Sequence, residues 1–116
     1  MATTLASLIG QARLQLQDLG ALDTPATPTV TPQGTTGATS YSYKVVALAQ
    51  NGVSAASAAG STTTGNATLS ASNTNRVTWV AISGASAYRI YRTVGAATQG
   101  LIATVGGTTT LDDTGL

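Results

Sequence analysis

The stretch Arg76-Val-Thr-Trp-Val-Ala-Ile82, then a Ser83-Gly84 turn, then Ala87-Tyr-Arg-Ile-Tyr-Arg-Thr93, decides the fold. In the first run Val77, Trp79 and Ala81 recur at every second position; in the second, Tyr88 and Ile90 alternate with Arg89 and Tyr91. A period of two sends successive side chains to opposite faces, the pattern of a half-buried strand. Upstream, Tyr41, Tyr43, Val45, Ala47 and Ala49 repeat the pattern, with Ser42 and Lys44 opposite and Asn51-Gly52 as a turn beyond. Ser54 to Thr64 is small and polar and predicts one short edge strand, and Ala67 to Ala71 a short strand. Downstream, Leu101 to Val105 and Thr108 to Leu111 flank Gly106-Gly107. The outward residues are read as Ser42, Lys44, Thr78, Arg89 and Arg92. About seven short strands with regular turns predict a β-sandwich.

The first residues follow a different period. Leu5, Leu8, Ile9, Leu16 and Leu19, with Ala12 between them, have helical spacing, and Gln11, Gln15 and Asp18 lie on the other side. Thr3 or Thr4 can cap the start, and Gly20 sits where a left-handed C-cap belongs. A helix this short is marginal alone in water, and Gly10 costs it about 1 kcal/mol. Burying each large aliphatic side chain returns roughly 1.5–3 kcal/mol, so the helix needs a surface to dock on. After Asp23, Pro25, Pro28 and Pro32 in a Thr-rich stretch preclude a continuing helix. The expected organisation is an amphipathic anchoring helix over 1–21, a Pro/Thr-rich joint over 22–33 and a sandwich over 34–116. Residues 28–33 are read as an edge strand or polyproline arm within that joint.

Composition narrows the chemistry. Charged residues make up 8% of the 116, against about 25% in an average soluble domain, and the net charge is +1. That gives no electrostatic footprint for nucleic acid. The chain has no histidine and no cysteine, which removes the usual general base, disulfides and the common zinc ligands. No catalytic residue, metal ligand or cofactor site is expected. Gln11, Arg13, Gln15, Gln17 and Asp18 interrupt the N-terminal apolar residues, so neither a signal peptide nor a membrane span is expected.

The segments Arg76-Val-Thr-Trp-Val80 and Gly84-Ala-Ser-Ala-Tyr-Arg-Ile-Tyr-Arg92 resemble strands B and C of fibronectin type III and related immunoglobulin-like domains. Tyr41-Ser-Tyr-Lys-Val-Val-Ala47 resembles strand F, Gly52 to Ser57 the F–G turn and strand G, and Leu111-Asp-Asp-Thr-Gly115 the stretch preceding strand F. The F-like and G-like pieces precede the B-like and C-like ones, as in a circular permutation, which sandwich termini tolerate. This permuted pattern resembles that of tailed-bacteriophage virion proteins. The opening, Leu5-Ala-Ser-Leu-Ile-Gly-Gln-Ala-Arg-Leu14, is similar to the first helix of some head–tail connector proteins.

The resemblance implies a non-enzymatic virion protein, made in the host cytoplasm, serving as capsid cement or decoration, collar or head–tail neck element. Its partners would be capsid, portal or neck subunits and copies of itself. The helix either covers its own sandwich or docks in a partner groove through Leu5, Leu8, Ile9, Leu16 and Leu19; the polar outward residues of the strands favour the partner. The alternative is a fibre module binding a host glycan or receptor. For that reading Arg89, Tyr91 and Arg92 are the candidate recognition residues. Trp79 reads as core, and Asp112-Asp113-Thr114-Gly115 as a turn rather than a calcium site.

Overall fold

The computed structural model describes residues 22–50, 52–96 and 98–116. The predicted helix, with Leu5, Leu8, Ile9, Leu16 and Leu19, lies outside them, and so does Asn51 of the expected turn. The described residues form eight strands and no helix: β1 Thr29–Gln33, β2 Thr39–Ala49, β3 Gly52–Val53, β4 Gly60–Gly65, β5 Thr74–Thr78, β6 Ala87–Val94, β7 Gly100–Gly106 and β8 Thr110–Asp113. They build two antiparallel sheets. One has three strands in the order β1-β5-β8; the other has five, β3-β2-β6-β7 with β4 also on β2.

β2 organises the larger sheet. Tyr41, Tyr43, Val45 and Ala47 are all fully buried, as their alternation predicts. With Val77, Trp79, Tyr88 and Ile90 they form one core drawn from both sheets. β6 pairs with one edge of β2, from Ser42↔Val94 to Leu48↔Ala87. The other edge is shared by β4 at its start and β3 at its end. In the gap between those two, Ser54 and Ser57 complete the ladder. The Val45 and Ala47 amides donate to Ser57 Oγ and Ser54 Oγ, both at 2.9 Å, and each hydroxyl donates onward to the next residue's carbonyl. The small, polar segment is thus a hydrogen-bonding splint, its serines buried because they satisfy backbone groups that water cannot reach.

Two glycines let the layers close. A Cβ on Gly60 would lie 2.0 Å from the Pro28 carbonyl oxygen, so β4 meets the lead into β1 only because that side chain is missing. One on Gly65 would lie 2.4 Å from the Tyr41 ring, whose hydroxyl donates to the Asn66 carbonyl. β1 is the expected edge strand, with Pro32 on it where a missing amide costs little. The joint before it is seated on the body: Pro25 and Pro28 are buried and Leu22 packs against the core.

Three expectations are corrected. Ala67 to Ala71 is not a strand: Asn66 Oδ1 accepts from the Thr68 amide, and Ser70 and Asn73 exchange backbone bonds, so local turns satisfy it. The strand expected over 76–82 is Thr74–Thr78. Past Trp79 the chain leaves the sheet, and Ala81 is exposed instead of sharing the face of Val77 and Trp79. Arg92, expected to face outward, is 0% exposed. Strand parity gives the reason: Arg92 is two residues from Ile90 and four from Tyr88, both core, whereas Arg89 is an odd number away.

Burial also tunes the phenols. Desolvation, then the hydrogen bond to Asp113, push Tyr43 well above its usual value of about 10, and burial moves Tyr41 the same way. The native state therefore holds these protons after the unfolded chain has released them. Their stabilisation is whole below about pH 10 and is lost as the pH rises beyond it. Denaturation midpoints should fall steeply above pH 10, and Tyr43→Phe should flatten that fall, leaving the part due to Tyr41.

Candidate functional site

The buried polar centre joins the two sheets. Arg92 on β6 donates from Nη1 to Asp113 Oδ2 on β8 at 2.6 Å, with both side chains 0% exposed. Its Nε donates to the Thr98 carbonyl at 2.7 Å and its Nη2 to the Leu116 carbonyl. Asp113 Oδ2 also accepts from the Tyr43 hydroxyl at 2.6 Å, and Oδ1 accepts from the Gly115 and Leu116 amides. Asn75 Nδ2 donates to the Tyr43 oxygen at 3.0 Å. Of the turn expected over Asp112-Asp113-Thr114-Gly115, Asp112 and Asp113 instead end β8 and the chain bends only at Thr114; the Asp113 carboxylate is the anion of the core. Each nitrogen of the guanidinium and each oxygen of the carboxylate has a partner and neither side chain has accessible surface, so the group bolts one sheet to the other.

Asp112 faces the other way and meets Arg76 at 2.8 Å across β5 and β8. That pair is exposed and screened by solvent; the guanidinium holds the Asp112 carboxyl below its usual range. Among the described residues no group of three or more potential metal-ligating side chains occurs.

The outer face of the five-stranded sheet carries a cleft of about 450 Å³. Lys44 and Val46 of β2, Tyr91 and Thr93 of β6, Ala56 of the serine splint and Gln99 before β7 line it. Lys44 and Tyr91 are Cα partners across the β2–β6 ladder, so their side chains rise from the sheet together. A volume of this size falls in the range of small-ligand sites, roughly 300–1,000 Å³.

Of the three predicted recognition residues, Tyr91 lines the cleft and is half-buried, and Arg89 is exposed on the same sheet face, opposite Val46. Arg92 also borders the cleft, but its side chain is fully buried and turned to Asp113 in the core. No local sequence pattern points to Lys44 or Gln99 as recognition residues. The alternation of β2 marks Lys44 as outward, but its pairing with Tyr91 is a long-range register that local patterns do not encode. No protein-family model matches the chain, and neither the curated proteins nor the solved structures compared with it give a match.

Proposed function

We propose that this chain is a non-enzymatic structural protein of a tailed-phage virion: an immunoglobulin-like, fibronectin type III-like sandwich with permuted strand order, attached through its N-terminal segment. The observation that carries the family reading is the pattern of strand neighbours. In the immunoglobulin plan A, B and E share one sheet while C, F and G share the other. Here the B-like β5 lies between β1 and β8, which ends in the stretch that normally leads to strand F. The C-like β6 pairs with the F-like β2, whose far edge carries β3 and β4 in the G position. These neighbours support the reading, although the order along the chain differs from the plan. The absence of histidine and cysteine supports a role in binding over one in catalysis.

The attachment reading rests on Leu5, Leu8, Ile9, Leu16 and Leu19, a helix-in-groove pattern for a capsid, portal or neck subunit. Deleting residues 1–20 and complementing the phage with the truncated chain is the test. The expected result is a folded protein missing from purified particles. Normal occupancy would overturn the proposal.

A second reading, a host-surface glycan or receptor module, is supported by the cleft over Tyr91.

A further inference from the structure

We infer that the cleft over Tyr91 binds an acidic saccharide, with Tyr91 as the stacking platform and Lys44 as the partner of the sugar carboxylate; the inference rests on the glycan reading. Three observations converge on it. The first concerns the tyrosine hydroxyls. Tyr41 and Tyr43 donate theirs to Asn66 and Asp113, and Tyr88 accepts from the Ile82 amide. Among the described residues Tyr91 has no such bond, and it lines the cleft. An aromatic body with an unused polar tip is what a sugar ring requires, apolar contact on one face and a hydrogen bond at the rim.

The second is charge. The five strands of this sheet contain no acidic residue and three basic ones, Lys44, Arg89 and Arg92. Asp113 neutralises Arg92 inside the core, which leaves Lys44 and Arg89 uncompensated on the outer face. The acids of the described part lie elsewhere: Asp112 and Asp113 on β8 and Asp23 ahead of β1. Lys44 makes no ion pair among the described residues. With only two such cations, the face suits a single carboxylate and not a polyphosphate backbone, which needs many contacts.

The third is the walls. The surface of the cleft is almost wholly apolar, which suits the apolar face of a sugar ring and leaves orienting groups to its rim. Ligand sites combine such walls with a small number of orienting donors and acceptors.

The test titrates the full-length chain with trigalacturonate and with its uncharged methyl ester, and with sialyllactose and lactose, by calorimetry at low salt. At least one acid should bind about tenfold tighter than its neutral counterpart, and added salt should erode the difference. Lys44→Gln should abolish that discrimination and Tyr91→Ala should abolish binding altogether. Both residues face outward, so unchanged denaturation midpoints will show that the variants are folded. Equal affinity for charged and neutral sugars, lost in Tyr91→Ala, would overturn the acidic ligand and keep the glycan reading. No binding of any of the four at millimolar concentration would overturn both. Benzoate binding as tightly as the sugar acids would replace the saccharide with a simple aryl acid.

Discussion

Asp113→Ala should leave the domain largely unfolded at room temperature. The substitution removes the anion from beneath the Arg92 guanidinium, which has no accessible surface through which water could solvate it. Breaking a buried pair by deleting one partner costs about 3–5 kcal/mol, and domains have only about 5–15 kcal/mol in total. Here the loss is compounded: the Tyr43 hydroxyl loses its acceptor, and the Gly115 and Leu116 amides lose theirs. Urea denaturation followed by the fluorescence of the single tryptophan measures the effect. The double variant Arg92→Met with Asp113→Leu should recover part of the stability, since no uncompensated charge remains. Recovery should be incomplete because the Thr98 and Leu116 carbonyls lose their donors. A loss below about 1 kcal/mol in Asp113→Ala would show that water reaches the pair.

Trp79→Ala should be the next most damaging change, costing about 3–5 kcal/mol as a large-to-small replacement in a small core. The indole is 7% exposed and packs edge-on against Tyr88, with ring centroids 5.4 Å apart and planes at 61°. Tyr88 in turn accepts the Ile82 amide, so the cavity would loosen the β5–β6 connection as well as the core. Trp79→Phe should cost well under half as much. Trp79 Nε1 is buried without an acceptor, so its removal breaks no hydrogen bond and relieves an unsatisfied donor. Thermal unfolding followed by far-ultraviolet circular dichroism separates the variants, because neither retains the tryptophan. Equal losses in the two would mean that the indole N–H has a partner in solution.

The legible and illegible parts of this protein divide by the range of the interactions behind them. The burial of Tyr41, Tyr43, Val45 and Ala47 could be read from alternation because the pleat itself enforces it. Trp79, Tyr88 and Ile90 as core, and an edge strand around Pro32, follow from equally local rules. Of the cleft, Tyr91 was legible as an outward aromatic; Lys44 as its neighbour was not, since that depends on which two strands pair and in what register.

Arg92 is the instructive case. Parity alone assigns it to the buried face beside Ile90, but a charge there is acceptable only if an anion awaits it, and the anion is Asp113, contributed by the other sheet. Ser54 and Ser57 look like surface residues in a segment poor in core-formers, and their burial follows from the gap between β3 and β4 that their hydroxyls fill. The alternating runs and turns around Arg76 to Thr93 were thus enough, by themselves, to determine a mainly β chain and to name most of its apolar core. Only the tertiary structure decided which polar side chains the core accepts and which outward ones share a cleft. Periodicity is a property of one strand, whereas a buried charge or a binding cleft needs partners from several.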